Sequence, residues 1–297
     1  MKVALITTHP GLIENKRIED EVKALGHEFQ LVDLTDFQYE INKGKLSVPG
    51  ITDLEADVAV FRGIFISLKA ISAVAEELTK KGIRMFDNSL LVHQYSINKI
   101  TDTIKLASNN IPVAETYYSR NFDNYLNKAK ELGYPVVVKL TRAGKGAGIY
   151  KFNDEDELKA FISDVEENGY KGASYLMQEF FDYKHDLRVL VIGGKIYAMK
   201  RIPREGDFRA NFSLGGTVEI FEPDEETQQL ALDALKSIDM SVGGVDVLIG
   251  KDLPAGKAGG RKIILEVNHT PGFVGMEEAT NENITRKYVE HVIEKAK

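Results

Sequence analysis

The chain of 297 residues contains no cysteine. That excludes disulfides, thiolate metal sites and a cysteine nucleophile. No apolar run approaches the roughly 20 residues of a bilayer-spanning helix, so no membrane partner is expected. The opening MKVALITTHPG has only a short apolar stretch before Thr7 and Thr8, which reads as a first strand rather than a signal peptide. There is no internal repeat and no long low-complexity tract. Positive charge is in the minority: 38 Lys and Arg against 45 Asp and Glu give a formal charge of -7. Such a surface does not attract a phosphate backbone, so no nucleic-acid partner is expected without a local basic patch. Two nucleotide signatures are missing as well. A Walker loop needs G-x-x-x-x-G-K followed by Ser or Thr, whereas Gly256-Lys257 is followed by Ala258. No G-x-G-x-x-G follows the first strand either. With 43% hydrophobic residues, a soluble, cytoplasmic globular protein is expected, long enough for two or three packed lobes.

What is present begins with alternation of strands and helices. The segments 3–7, 27–33, 57–61 and 83–86 are short strands. Between them, Ile18, Val22 and Leu25, then Ile71, Val74 and Leu78, recur at helical spacing. Such β-α-β units imply a doubly wound parallel sheet. A helix from about residue 90 to 109 connects it to the next lobe. That lobe spans about 111–179 and holds VVVKL (136–140), a glycine-rich turn, GIYKF (148–152), a helix and SYLMQEF (174–180). Asn153, with Asp154 to Glu157, supplies an N-cap and an acidic first turn. The remainder turns to β-hairpins, clearest where DLRVLVI, Gly193-Gly194 and KIYAMKR follow one another. Helices near 225–238 and 283–295 would cover that sheet, and the glycine-rich segment 250–261 joins two apolar strands. The expected division is 1–90, 91–178 and 179–297.

Three groups of residues carry chemistry. GGVDVLI and ILEVN are apolar strands with interior carboxylates, Asp246 and Glu266, and Asn268 shares a strand face with Glu266. If the strands are neighbours, these side chains form an all-oxygen cluster suited to a hard cation such as Mg²⁺. Singly, each acid would serve as well to cap a strand or pair with a lysine. The second group is Lys139, inside a β-branched run where an unpaired ammonium is costly, followed by GKGAG (144–148). Glycines there let backbone N–H groups approach an anion such as a polyphosphate; an ordinary hairpin with a solvent-reaching lysine is the alternative. The third is Asp186 and Arg188 on one strand face, with Arg209 and Asn211 before a Gly-Gly turn. Forked guanidinium groups match phosphate and carboxylate oxygens.

In this order the lysine strand with its glycine loop, QEFF, DLR, GDFRANFSLGG, GVDVL and LEVNHTPGFVGMEEATNENI resemble the ATP-grasp ligases. They are most similar to the RimK-like branch of glutamate ligases that extend a ribosomal protein's carboxyl terminus. The resemblance spans nearly the whole chain and is strongest from Gln178 onwards. It implies an α/β (α+β) ATP-grasp fold, with the doubly wound domain preceding two α+β lobes that clasp ATP. It implies that Lys99 and Lys139 contact ATP phosphates, with the loop of Gly144, Lys145 and Gly146 closing over them. Glu179, Phe180 and Phe181 would form the adenine-side hinge, with Asp186 close to the nucleotide. Arg209 and Asn211 would reach phosphate and the reacting carboxylate, and Arg188 with Arg209 would stabilise anionic oxygens during reaction. Asp246, Glu266 and Asn268 would hold two Mg²⁺ ions, for which Mn²⁺ can substitute.

The implied chemistry joins a carboxylate to an amine through an acyl-phosphate. The partners are ATP, a carboxylate acceptor and glutamate or another amino acid; self-association is compatible with this. Ligases of amino-acid or cofactor biosynthesis share the fold, so the acceptor stays open between protein, peptide and metabolite. An ATP-grasp kinase and a non-catalytic nucleotide-binding protein are the rival classes. The chain departs from the pattern in three places. His269-Thr270 replaces the small residues usual before Pro-Gly, the hinge to DLR is shorter, and the segment 250–261 is longer. A histidine at a strand exit is expected to be exposed.

Overall fold

A computed structural model describes residues 1–64, 68–86, 99–141, 148–204, 217–251 and 260–297. The chain opens with β1 (Lys2–Thr7), α1 (Ile13–Ala24), β2 (Glu28–Asp33), a hairpin of β3 (Glu40–Asn42) and β4 (Lys45–Ser47), β5 (Val58–Phe61), α2 (Leu68–Lys80) and β6 (Arg84–Phe86). The four longer-range strands order as β2-β1-β5-β6, and every neighbouring pair is parallel. Strand alternation explains the double winding. Val3 and Leu5 join Ile18 and Val22 of α1 in one core, whereas Ala4 and Ile6 join Val74, Ala75 and Leu78 of α2 in another. Strand order reverses between β1 and β5, so their carboxyl ends flank a topological switch point, where open α/β sheets form a crevice. The expected parallel sheet is therefore present. The β3–β4 hairpin was not anticipated, because all six of its residues are exposed and leave no apolar alternation to read. Its turn residues Lys43 and Gly44 both take positive φ, at 49° and 77°, as a two-residue hairpin turn requires.

The second sheet is antiparallel, ordered β7-β10-β8-β9, from β7 (Thr116–Tyr117), β8 (Val136–Leu140), β9 (Ile149–Phe152) and β10 (Tyr175–Glu179). It follows α3 (Lys99–Ser108), and one face is covered by α4 (Asp123–Leu132) and α5 (Glu155–Glu167). Val136 and Val138 of β8 pack under those helices with Tyr125, Leu158 and Ile162. By alternation Val137 and Lys139 look the other way. The N-cap of α5 is Asp154, which accepts a hydrogen bond from the Glu157 N–H at 2.9 Å. This corrects the expected Asn153, which lies one residue outside and instead donates its N–H to the Glu157 carboxylate at 2.7 Å.

The third sheet has the order β13-β12-β11-β14-β15. Its strands are β11 (Tyr183–Ile192), β12 (Lys195–Ile202), β13 (Thr217–Ile220), β14 (Val242–Gly250) and β15 (Lys262–Asn268), with α6 (Glu225–Ser237), α7 (Val274–Thr280) and α8 (Ile284–Lys295) around them. One face packs on α6: Leu187, Val189, Val245 and Val247 meet Ala231, Ala234 and Leu235, and Leu106 of α3 joins them. The other face changes character along β11. Leu190 and Ile192 are buried with Tyr288 and Val292 of α8 and with Val3 and Leu5 of the first sheet. Asp186 and Arg188, on the same face by alternation, belong to none of the hydrophobic clusters. The apolar half of this face thus anchors the first lobe, and the charged half is left for chemistry. Among the described residues, no helix is long and apolar enough to cross a membrane.

Candidate active site

Backbone register assembles the site. Arg188 stands opposite Asp246 across β11 and β14, and Asp246 stands opposite Glu266 across β14 and β15. Asn268 pairs with Gly244, two residues further along. The strands bearing the two carboxylates are neighbours, as the sequence suggested. What the sequence did not disclose is a bulge. Asp246 pairs with Glu266, but Val247 pairs with Ile264, so Leu265 is an extra residue. Ile264 and Glu266 are two apart and would share a face on a regular strand. The bulge breaks that relation. Ile264 is buried under α6, while Glu266 and Asn268 lie on the Asp246 face.

Four charges form a buried network. Arg188 donates from Nε and Nη2 to the two carboxylate oxygens of Asp246, the second at 3.0 Å. Arg201 donates to Asp186, from Nε at 2.8 Å and also from Nη2. The same guanidinium lies 3.1 Å from Asp246 Oδ2. Burial alone would push the Asp246 carboxyl up, but Arg188 and Arg201 outweigh it and hold it below the usual range. Asp186 goes the other way: burial dominates and raises it, with Arg201 opposing. Arg201 loses hydration too, yet Asp246 and Asp186 keep it firmly charged. Sequence reading missed Arg201. The signal was available, since counting outward from the Gly193-Gly194 turn pairs Ile192 with Lys195 and hence Asp186 with Arg201.

Two lysines face this network from outside the sheet. Lys99, at the start of α3, places its Nζ 3.6 Å from Glu266 Oε2. Lys139 is buried in β8. Desolvation lowers its pKa from 10.5 to about 8, against the pull of Glu266, Asp246 and Asp186 and with Lys99 adding repulsion. A buried ammonium beside a second lysine is suited to an anion. The solvent-reaching alternative for Lys139 does not hold.

The residues expected at the adenine-side hinge lie where the second and third sheets meet. Glu179 ends β10 and accepts from the Glu115 N–H and from Arg261, both at 2.9 Å. Phe180 lies under the Lys151 ammonium, 3.9 Å from ring centre to nitrogen. Phe181 lies beneath the Arg261 guanidinium. Arg209, Asn211, Gly144, Lys145 and Gly146 are outside the described residues, as are 90–98 of the expected connecting helix and 252–259 of the long loop.

His269 corrects an expectation. Its side chain is 9% exposed rather than free in solvent, and its Nε2 lies 3.1 Å from Asp102 Oδ2. The reason is α3, which lies against the exit of β15 and brings Asp102 to it; Thr270 is the exposed residue.

The donor set fits a hard divalent cation. Asp246, Glu266 and Asn268 offer only oxygens that such an ion prefers, and they converge on one face beside two lysines suited to phosphate. Asp246 already carries two guanidinium partners, so Glu266 and Asn268 are the more open donors. Among the described residues, no cluster of three His, Asp or Glu side chains forms a metal site; Asn268 is what completes the set.

Comparison with known proteins gives a consistent picture. Residues 96–292 match the family model described as the RimK-like ATP-grasp domain. A probable alpha-L-glutamate ligase of Legionella pneumophila (strain Corby) is 28% identical over 304 residues, covering 100% of this chain and 97% of the relative. Among solved structures, the ATP-grasp ligase PsnB, complexed with a phosphomimetic variant of its minimal precursor, Mg and ADP, superposes with a TM-score of 0.75 at 18% identity. It covers 99% of this chain and 98% of that one. The D-cycloserine synthetase DcsG gives a TM-score of 0.70 at 16% identity, with 100% of both chains covered.

Proposed function

The chain belongs to the RimK-like ATP-grasp family, and from that premise we propose an ATP-dependent ligase that joins a carboxylate to the amine of glutamate or another amino acid. The observation that carries the reading is that buried Lys139, with Lys99 beside it, feels the Glu266, Asp246 and Asp186 carboxylates of the third sheet. Cations on one side and oxygen donors on the other match a nucleotide polyphosphate with its divalent metal. The three proposed lobes, 1–90, 91–178 and 179–297, leave that cleft between the second and third.

In the first step a substrate carboxylate attacks the γ-phosphate, and ADP leaves. In the second the amine attacks the acyl carbon, and inorganic phosphate leaves as the amide forms. Lys99 and Lys139 hold the polyphosphate and spread its charge, while Glu179, Phe180 and Phe181 line the adenine side. Arg188, fixed by Asp246, presents its remaining N–H groups to the oxyanion of the tetrahedral intermediate. Arg209 and Asn211 join it from outside the described residues, and the loop bearing Gly144, Lys145 and Gly146 covers the phosphates. Mg²⁺, as two ions held by Asp246, Glu266 and Asn268 with Mn²⁺ as a substitute, supplies charge compensation to the phosphates when bound. The need for ATP makes the cytoplasm its compartment.

The test is ADP release with Mg²⁺-ATP against a panel of amino acids, peptides and small carboxylates, with mass spectrometry of products. Turnover that requires both a carboxylate and an amine, with a product heavier by one amide linkage, supports the reading. ADP release with phosphorylation of an alcohol would overturn it.

A further inference from the structure

The described residues bury three Lys or Arg side chains: Lys139, Arg201 and Arg62. Lys139 and Arg201 belong to the network above. Arg62, 5% exposed, does not. It follows β5 at the switch point of the first sheet, next to Gly63, whose positive φ of 64° turns the chain there. Its Nη2 donates to the Pro271 carbonyl at 2.6 Å, and its guanidinium lies 4.7 Å from the Phe273 ring centre and 5.4 Å from that of Tyr288. No carboxylate among the described residues pairs with it. A buried guanidinium held by one carbonyl and two rings retains most of its charge uncompensated.

A complementary group sits on the other side of the same dipeptide. Glu14, in the first turn of α1, reaches over Gly272, so closely that a Cβ built there would come within 3.0 Å of its Oε1. Glu14 has no ion-pair partner among the described residues. No ion pair joins it to Arg62, so they do not neutralise each other. The backbone around them is held firmly. Thr8 Oγ1 donates to the Gly63 carbonyl at 2.7 Å, and Asn15 Nδ2 donates to the His9 carbonyl at 2.9 Å. Pro271 lies between these two groups and the reaction centre. A Cβ built on Gly244 would lie 3.1 Å from both Pro271 Cβ and Arg188 Cδ, so the ring packs beside the Arg188 that binds Asp246.

Resting on the ligase reading, we infer that the switch-point end of the first sheet, beside Pro271-Gly272, binds the free α-amino acid substrate, Arg62 taking its α-carboxylate and Glu14 its amino group. An amine substrate with a carboxylate that does not react must have that charge held away from the polyphosphate. Lys99, Lys139, Arg188 and Arg201 are committed to the cleft. Arg62 offers a cation with no carboxylate partner among the described residues, and a carboxylate on it would complete a charge-assisted pair. A separated cation and anion that reach the same Pro271-Gly272 dipeptide from two different elements match a zwitterion better than they match either ion alone.

The test is calorimetric titration of the protein saturated with Mg²⁺ and a non-hydrolysable ATP analogue. The twenty common α-amino acids are titrated first, then the decarboxylated and the deaminated counterparts of the one that binds. Arg62→Met should weaken the amino acid by at least about tenfold and leave its decarboxylated counterpart unchanged. Glu14→Gln, at a half-buried helix position that tolerates an amide, should weaken the amino acid and leave the deaminated counterpart unchanged. Nucleotide affinity should be the same in all three proteins. Equal losses for every compound, or no loss in either variant, would overturn the assignment. So would a wild-type protein that binds nucleotide but no α-amino acid. Failure to bind nucleotide would instead remove the ligase reading on which the inference rests.

Discussion

Asp186 and Arg201 face one another across β11 and β12, and both are almost wholly shut off from water, at 4% and 5% exposure. With Asp246 and Arg188 they form an alternating set of two carboxylates and two guanidiniums. The set is electrically balanced before any substrate arrives. Its cost is desolvation and its return is a site whose donors are already aimed.

Removing Arg201 should therefore be severe. Arg201→Met leaves two buried carboxylates sharing Arg188, and loss of one partner of a buried pair costs about 3–5 kcal/mol. Urea unfolding should show that loss. Adding Asp186→Asn to the same chain should recover part of it, because one orphaned charge disappears. Additive losses in the double variant would contradict the network.

Arg188 is placed for activity more than for stability. Its side chain is 16% exposed, and a lysine there cannot donate two parallel hydrogen bonds to Asp246. Arg188→Lys should lower kcat/KM by about 10²–10³-fold, with a small change in Tm. An active Arg188→Lys enzyme would remove this residue from the oxyanion role.

Much of the site could be read from the chain, and the exceptions share a cause. Asp246, Glu266 and Asn268 announce themselves as polar residues inside apolar strands, and Lys139 as a cation in a β-branched run. Those are local signals. Arg201, Asp102 with His269, and Arg62 with Glu14 are pairs or near-pairs formed by register and by packing of distant elements. Arg62 and Pro271 are 209 residues apart. The Leu265 bulge is hidden for a different reason. ILEVN looks like a regular alternating strand from either end, and only the pairing with β14 shows that one residue is extra. The three-sheet architecture was legible because helical and strand periods alternate cleanly. The β3–β4 hairpin was not, because a solvent-exposed ribbon has no buried face to mark.

If Lys139 holds the polyphosphate as proposed, its ammonium should make stability and nucleotide affinity depend on pH in opposite senses. Its pKa is about 8 in the folded chain against 10.5 ordinarily. Between those values the unfolded chain holds a proton that the folded chain lacks. Stability should therefore rise from about pH 8 to about pH 10.5 and level off above it. Nucleotide prefers the charged lysine, so its affinity should fall as pH rises through about 8. Lys139→Met should abolish the first effect and weaken binding at neutral pH. Urea midpoints and nucleotide titrations at pH 7 and 9.5 on both proteins would reveal either pattern.

Glu266→Gln keeps the shape of the side chain and removes its charge. Because Glu266 is 28% exposed and its ion pair with Lys99 is long, at 3.6 Å, the fold should survive within a few tenths of a kcal/mol. Turnover should be lost, as it should be in Asp246→Asn. Full activity in either variant, assayed with saturating Mg²⁺ and ATP, would remove that residue from the metal set.

The central claim is that ATP activates a carboxylate as an acyl-phosphate. Its most direct test is oxygen transfer: carboxyl-¹⁸O-labelled substrate is turned over with Mg²⁺-ATP and amine, and the released phosphate is examined by ³¹P NMR. The account predicts one ¹⁸O in inorganic phosphate for each amide formed. Amide formation with unlabelled phosphate would contradict it.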